Sequence, residues 1–396
     1  MALPPRATSE ALPRIVESLA PSSRVRLAAA ACVALSVILG GPVVGALRGA
    51  LLQRWPAAYI PVLAGTVGLC GLGLVAFSVL RLRHRSWRRL GAIGLAVAAA
   101  TSCAAAMRTG DTNVDVVEAF HFTEYAALTL MFAWAVGPLA RGAGWAWAGY
   151  AAVLVGALDE WLQWFVPGRT GEFRDVAMNA VAAGCGLLLA AALDHGPGPL
   201  RRGQASWLAR GAALLLLVLA AFVATVHLGY QLNDPATGRF FSRHTSAELA
   251  AEARDRAGAW GQGPAPDPGR FGREDQYLSE ALWHVRRRNN ALDDGVVAAA
   301  WREQRILEAY FAPVLRLATE DGPAGHAWSP AQATAVRDAA QGAGHDTGDA
   351  SPVPIYTWSP RAFWTCTVAG CIGLMALGAM MERRRARRAG QEVHDA

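Results

Sequence analysis

Eight stretches of this chain are apolar over about the length that an α-helix needs to cross a membrane. A helix of about 20 mostly apolar residues spans a hydrocarbon core of roughly 30 Å, and its backbone polar groups pair with one another inside that core. The eight stretches lie at roughly 27–47, 57–80, 90–107, 118–140, 144–164, 174–193, 211–230 and 363–381. The sequence therefore predicts an all-α polytopic membrane protein with about eight transmembrane helices.

The composition hides a division between these apolar stretches and one long polar segment. The 396 residues are 53% hydrophobic, yet the mean hydropathy is only +0.22 because residues 231–360 are polar. We predict that this segment forms a small helical extracytoplasmic domain. The predicted order is a cytoplasmic N-terminal segment (1–26), a six-span membrane core (27–193), a cytoplasmic link with the seventh span (194–230), the outer domain (231–360), and the eighth span with a basic cytoplasmic tail (361–396).

The basic residues, all of which are arginine, predict the orientation of the spans. Arginines in short loops stay on the cytoplasmic side of a membrane. They cluster after the second stretch, before the seventh and after the eighth, at Arg81, Arg83, Arg85, Arg88, Arg89, Arg201, Arg202, Arg210, Arg383, Arg384, Arg385, Arg387 and Arg388. This distribution predicts a multi-pass protein of the cell membrane with both termini in the cytoplasm. The pI of 9.3 then follows from topology signals that also meet anionic lipid, and it indicates no nucleic-acid partner.

The six cysteines agree with a membrane protein that has no disulfide framework. All of them lie in apolar stretches, at Cys32, Cys70, Cys103, Cys185, Cys366 and Cys371. None falls in a segment predicted to lie outside, where a disulfide or a zinc site is expected. We interpret them as small buried packing residues.

Ionisable and amide residues interrupt the apolar pattern around the fourth, fifth and sixth stretches. They stand in the segments EAFHFTEYAAL (118–128) and DEWLQWFVPGRTGEFRDVAMN (159–179). Many of them are three or four residues apart, a spacing that places side chains on one helix face. The groups are His121, Glu124 and Tyr125, then Asp159, Glu160 and Gln163, then Asp175 and Asn179.

The predicted orientation brings these groups to one level of the membrane. The starts of the fourth and sixth spans and the end of the fifth all face the extracytoplasmic side. Pro167-Gly168 is a turn signal between the fifth and sixth spans, and Arg169 at that turn is placed to reach a carboxylate or an anionic head group. Ionisable groups are rare in membrane spans and mark functional sites. The candidate functional cluster comprises His121, Glu124, Tyr125, Asp159, Glu160, Gln163, Arg169, Asp175 and Asn179.

These motifs resemble those of the VanZ-like family of integral membrane proteins. The resemblance covers about 115–193 and rests on His121-Phe122-x-Glu124-Tyr125, Asp159-Glu160-x-x-Gln163, Phe165-x-Pro167-x-Arg169 and Asp175-x-x-x-Asn179. It implies a role in cell-envelope physiology and, for some members, reduced susceptibility to glycopeptide antibiotics. One position departs from the pattern, because Val117-Glu118 stands where many relatives carry an Asp-Lys pair. The ligand is therefore not carried over from the family.

Three interpretations of the cluster are open. In the first, which we prefer, it recognises a lipid-linked or cell-wall component, with Arg169 on a phosphate or carboxylate, Gln163 and Asn179 on a sugar or peptide, and membrane lipid as a partner. In the second, a hydrolase or transferase acts on a lipid-linked phosphate substrate, with His121 and the carboxylates holding a hard divalent cation or serving as acid and base. In the third, the network is purely structural and the outer domain is a sensor.

The sequence leaves the chemistry of the cluster unassigned. It carries no metalloenzyme motif such as His-Glu-x-x-His, and no serine or cysteine stands out as a nucleophile. We therefore assign no catalytic residue, no metal, no cofactor and no oligomeric state, and we leave open whether the protein is an enzyme.

The polar segment 231–360 carries several helix signals. Thr245 and Glu248 have the spacing of a capping box, which predicts a helix through Trp260. Further helices are predicted at 273–291, at about 295–317 and from Ser329-Pro330, with loops at 261–269 and 340–354. The basic stretch HVRRRNN (284–290) is interpreted as a solvated helix face, with contact to an anionic lipid or polymer as the alternative.

Overall fold

The computed structural model describes residues 21–110, 112–165, 171–260, 273–317, 325–343, 351 and 353–394. Seven helices cover the first seven predicted apolar stretches. They are α1 (Pro21–Arg54), α2 (Pro56–Leu80), α3 (Trp87–Ala106), α4 (Thr112–Ala140), α5 (Gly144–Trp164), α6 (Phe173–Ala192) and α7 (Gln204–Val226), with a short 3-10 helix at Arg141–Ala143. Ser86 caps α3 by accepting a hydrogen bond from the backbone N–H of Arg89.

The described part of the polar segment folds into a hairpin and five helices, and one long helix follows it. These elements are β1 (Tyr230–Asp234), β2 (Gly238–Ser242), α8 (Ser246–Ala259), α9 (Arg273–Asp293), α10 (Val297–Tyr310), α11 (Ala312–Leu315), α12 (Pro330–Ala343) and α13 (Pro360–His394). β1 and β2 pair antiparallel, with Leu232 opposite Phe240. The predicted capping box is confirmed, since the Thr245 hydroxyl and the Glu248 carboxylate each accept a hydrogen bond from the other residue's backbone N–H.

Six of the described helices are long and apolar enough to cross a membrane. They are part of α1 (Ser23–Gly41), α2, α3, α6, α7 and most of α13 (Pro360–Arg388). α4 and α5 lack the same apolar character because they carry polar residues such as Glu124 and Glu160. The helices indicate a multi-pass membrane protein and confirm the all-α class, while the described apolar helices number six where the sequence predicted eight.

The outward faces of the apolar helices carry large hydrophobic side chains. Leu39 on α1 is 62% exposed, and Leu69 and Leu72 on α2 are 72% and 69% exposed. Soluble monomers rarely expose apolar side chains in continuous patches of this kind, whereas a membrane surrounds them with lipid. The exposed leucines therefore support the assignment of these helices to a membrane.

The chain divides into two compact units, and the first contains the membrane-type helices. It comprises Met1–Gln163, Gly171–Ala221 and Trp364–Ala396. α4 lies at its centre, because this helix packs against α1, α2, α3 and α6. Tyr125 and Leu128 on α4 and Ala182 on α6 are among the fully buried residues of this core.

The second unit comprises Trp164–Thr170 and Phe222–Phe363. Its core combines Phe240 from β2 with Tyr277 from α9 and Ile306 from α10, all of them fully buried. The Tyr277 hydroxyl donates a hydrogen bond to the backbone carbonyl of Tyr310 over 2.8 Å. The sequence analysis did not predict the β1–β2 hairpin, so the polar segment is mostly but not entirely helical.

Two further expectations differ from the structure. The stretch HVRRRNN has one buried and one solvated face: His284 is 0% and Arg288 2% exposed, and Arg287 pairs with the buried Glu303 over 3.0 Å. The prediction of a solvated face holds for Arg286, Asn289 and Asn290, which are exposed, and is wrong for His284, Arg287 and Arg288, which pair with α10.

The prediction of buried cysteines is also wrong for half of them. All six are free, and Cys185 is buried, but Cys32, Cys70 and Cys366 are exposed. These three lie on outward faces of apolar helices, where a thiol meets lipid rather than protein.

Candidate functional site

Glycines bring α4, α5 and α6 close together around the polar residues. A Cβ atom at Gly186 on α6 would lie 2.5 Å from the carbonyl oxygen of Ala126 on α4. A Cβ atom at Gly156 on α5 would lie 2.8 Å from the Cβ atom of Asn179 on α6. Real Cβ atoms do not approach other atoms this closely, so any larger residue would push the helices apart. Small residues at helix contacts are typical of membrane helix packing.

Asp159 receives hydrogen bonds that join two of these helices. Its Oδ2 atom accepts one from the hydroxyl of Tyr125 on α4 and one from Nε2 of Gln163 on α5, each over 3.1 Å. The same Gln163 amide lies 3.4 Å from Oε1 of Glu160. All four residues are buried, with 0 to 6% of their surface exposed. The structure thus brings together two carboxylates, a phenol and an amide that the sequence placed on separate helix faces.

His121 and Glu124 extend this group along α4. The His121 ring stacks on the Tyr125 ring, with centroids 5.9 Å apart and planes inclined by 20°. Nδ1 of His121 lies 3.9 Å from a carboxylate oxygen of Glu124, which is near enough to Asp159 for a Coulombic interaction. The three α4 residues predicted to share one face therefore lie beside the Asp159 group.

Asn179 on α6 is fully buried. Its side chain is 0% exposed, and within the described residues neither its Nδ2 nor its Oδ1 atom has a hydrogen-bond partner. It packs against the backbone of α5 at Gly156, about one turn before Asp159. Buried amide groups in proteins are almost always hydrogen-bonded, so this one calls for an explanation.

Asp175 and Arg169 are the remaining two predicted residues. Asp175 is half-buried in the first turn of α6, where the partial positive charge of the helix N-terminus favours a carboxylate. Arg169 and the predicted Pro167-Gly168 turn lie outside the described residues. The expected contact of Arg169 with a carboxylate or an anionic head group therefore stays a prediction.

An ion pair that the sequence analysis did not predict joins α4 to α6. Arg174 pairs with Glu118, the residue that departs from the family pattern, and it also donates to the carbonyl of Met107 over 2.7 Å. Next to it, burial raises the pKa of the Glu172 carboxyl, and the Arg174 guanidinium opposes that rise. The sequence signal for this ion pair was the acidic Glu118 near the start of α4 together with the basic Arg174 near the start of α6.

The chemistry offered by the described part of the cluster is hydrogen bonding. Asp159 and Glu160 present acceptors, while Asn179 presents a donor and an acceptor in one group. No set of three or more His, Cys, Asp or Glu side chains in the described part of the chain is arranged to hold a metal ion. The described geometry therefore assigns no metal or cofactor.

Comparison with known proteins supports the resemblance drawn from the motifs. Residues 74–194 match the model of the VanZ/LLP1 family, and this range contains α3 to α6 and the whole candidate cluster. The match covers less than half of the 396 residues, and it ends before α7, the polar segment and α13. No curated protein matches the chain, and no solved structure does.

Proposed function

We propose that the VanZ/LLP1 region binds a lipid-linked or cell-wall component of the cell envelope at the extracytoplasmic face of the membrane. The observation that carries this proposal is the fully buried Asn179 amide, which has no hydrogen-bond partner among the described residues and packs on Gly156 of α5, about one turn before Asp159. A change in glycopeptide susceptibility would be one consequence of such binding.

The membrane arrangement behind this proposal has eight spans and both termini in the cytoplasm. α4 and α5 are then spans as well, although their polar residues lower their hydropathy. The arginine clusters support this orientation, because they fall on one side of the membrane when the spans alternate. The start of α4, the end of α5 and the start of α6 then face the extracytoplasmic side, and so does segment 231–360.

The unpaired amide distinguishes a binding site from a network that only joins helices. A buried polar group without a partner costs roughly 1–3 kcal/mol, so a purely structural role would favour an apolar residue at position 179. A bound molecule with its own donor and acceptor would form hydrogen bonds with the Asn179 amide and remove this cost. The neighbouring Tyr125, Asp159 and Gln163 already pair with one another, which fixes the wall of such a site.

We infer the ligand class from the chemistry of Asn179 and of the carboxylates of Asp159 and Glu160. Carboxylates accept hydrogen bonds from hydroxyl and amide groups, and an amide both donates and accepts. Sugar hydroxyls and peptide amides fit these requirements. We infer a membrane-anchored saccharide or peptide head group, with Arg169 as the contact for a phosphate.

Identification of the lipids and other small molecules that co-purify with the protein tests this proposal. The protein would be extracted with its surrounding membrane in a lipid-retaining polymer and its bound molecules identified by mass spectrometry. We expect a saccharide- or peptide-bearing molecule with the wild type, and at least a fivefold loss of it in Asn179→Leu and in Asp159→Asn.

Thr129→Val is the matched control. Thr129 is also fully buried on α4, but its hydroxyl donates to the backbone carbonyl of Tyr125 within the same helix. This variant should retain the molecule. If every folded variant carries the same molecules as the wild type, the cluster is a structural network and the proposal fails.

A further inference from the structure

A crevice between α5, α7 and α13 lies apart from the candidate cluster. It has a volume of about 180 Å³, and apolar side chains line most of it. Ala205, Ala209 and Ala212 form its α7 wall at three- and four-residue spacing, while Leu377 and Met381 lie on α13. Tyr150 on α5 completes the lining. Apart from Tyr150, these residues lie outside the VanZ/LLP1 match.

Close packing of α7 on α13 gives the crevice a fixed shape. A Cβ atom at Gly378 would lie 2.5 Å from the Cβ atom of Ala209, so the helices touch at this point. The Cys371 thiol approaches the carbonyl of Ala213 at 3.4 Å further along the same pair. These two contacts join the α7 and α13 walls of the crevice.

Arginines surround one end of the crevice. Arg385 donates a hydrogen bond over 3.2 Å to the carbonyl of Leu200, which itself lines the crevice. Residues 199–210 and 378–388, which the structure describes throughout, contain eight arginines and one carboxylate, that of Glu382. Glu382 accepts hydrogen bonds from the backbone N–H groups of Gly203 and Ala205 over 3.0 and 2.9 Å, so it caps α7. The mouth of the crevice is therefore strongly basic.

Trp207 marks the level of this mouth in the membrane. Its ring is 53% exposed, and the guanidinium of Arg210 lies 5.7 Å from the ring centroid. Tryptophan and arginine in this arrangement are typical of the boundary between hydrocarbon and head groups. The apolar crevice thus extends into the hydrocarbon region, and the arginines stand at the depth of lipid phosphates.

We propose that this α7–α13 crevice binds an anionic phospholipid, with part of an acyl chain in the crevice and the phosphate head group held by Arg385, the arginine that contacts the crevice lining. α7 and α13 are both long enough and apolar enough to cross a membrane, so lipid is what surrounds them. The arginine-rich mouth favours an anionic head group over a zwitterionic one. This site is independent of the function proposed for the VanZ/LLP1 region.

Native mass spectrometry of the full-length protein in micelles containing equal amounts of phosphatidylglycerol and phosphatidylcholine tests the proposal. The wild type should retain phosphatidylglycerol in clear excess. Arg385→Gln should reduce this preference about fivefold, the ratio that corresponds to roughly 1 kcal/mol for one arginine near a charged surface. Arg387→Gln is the matched control, because it removes the same charge from a different face of α13 and should change the preference less than twofold.

A second pair of variants tests the crevice itself. Ala212→Leu fills it and should reduce retention of both lipids, whereas Ala376→Leu adds the same volume to an exposed position on α13 and should not. Equal retention of both lipids by the wild type would overturn the proposal. Equal losses in Arg385→Gln and Arg387→Gln would overturn it too, since they would indicate diffuse attraction without a site. If Ala212→Leu does not fold, the comparison of Arg385→Gln with Arg387→Gln alone tests the proposal.

Discussion

Asp159 is the residue that ties the described part of the candidate cluster together. Its Oδ2 atom accepts hydrogen bonds from Tyr125 on α4 and from Gln163 on its own helix, and only 4% of its surface is exposed. A buried carboxylate is costly unless donors surround it. We infer that these hydrogen bonds fix the alignment of α4 and α5 along their axes.

Removal of the Tyr125 hydroxyl should weaken the pairing of α4 with α5. We expect Tyr125→Phe to lower the free energy of unfolding by about 0.6–1.7 kcal/mol, the range measured for hydrogen bonds between membrane helices. The loss should be smaller in an Asp159→Asn background, because the acceptor is then already weakened. Unfolding in mixed detergent and dodecyl sulfate micelles measures both values. Tyr150→Phe is the control for the loss of a tyrosine hydroxyl elsewhere on these helices. Strictly additive effects of Tyr125→Phe and Asp159→Asn on the free energy of unfolding would contradict an interaction between the two residues.

At the scale of single elements, much of the fold could be predicted from the sequence. The lengths of the apolar stretches identified the long helices. Local signals such as Thr245 and Glu248 identified where α8 begins. Three- and four-residue spacing also identified which side chains share a face within one helix, as for His121, Glu124 and Tyr125. These features are local, so nearby residues determine them.

Contacts between elements could not be predicted in the same way. The hydrogen bond from Tyr125 to Asp159 and the ion pair of Arg174 with Glu118 depend on how whole helices pack. The hairpin was missed because its strands bury few side chains and so show no clear alternation of apolar and polar residues. A turn signal was nonetheless present, since Asp234-Pro235 precedes Gly238, whose φ of 77° suits glycine.

Glu280 links the hairpin to α9 and makes this part of the fold sensitive to pH. Burial raises the pKa of its carboxyl, which is 3% exposed and close to His284 and to a donor on Ser242. Because the folded state favours the protonated form, the contribution of Glu280 to stability is fully present at acidic pH. This contribution is lost as the pH rises above the ordinary pKa of a glutamate and through the raised pKa of Glu280.

A neutral side chain at position 280 should therefore protect the hairpin and α9 at alkaline pH. We expect Glu280→Gln to slow amide hydrogen exchange across 230–242 and 276–293 relative to the wild type at pH 8, with little difference at pH 5. Mass spectrometry of the full-length protein measures this exchange. The control is Asp294→Asn, which neutralises an exposed carboxylate just after α9. Faster exchange in Glu280→Gln than in the wild type at pH 8 would contradict the prediction, because it would show that the folded state favours the charged form of Glu280.

At the scale of the whole molecule, the chain combines an apolar helical unit with a second unit that is largely polar. The VanZ/LLP1 match lies mostly in the first unit, which also contains the glycine contacts and the buried residues Tyr125, Asp159, Glu160 and Gln163. Recognition of an envelope component requires the ends of α4, α5 and α6 that carry the cluster to face outward. Orientation is therefore the property on which the proposed function depends most.

Cysteine labelling in intact cells measures this orientation most directly. In a variant whose six native cysteines are replaced, Arg108→Cys introduces an exposed thiol between α3 and α4, and His84→Cys introduces one between α2 and α3. An impermeant thiol reagent should label Arg108→Cys in intact cells and His84→Cys only after lysis. The reverse pattern would place the cluster on the cytoplasmic side and contradict both the orientation and the proposed recognition of an envelope component.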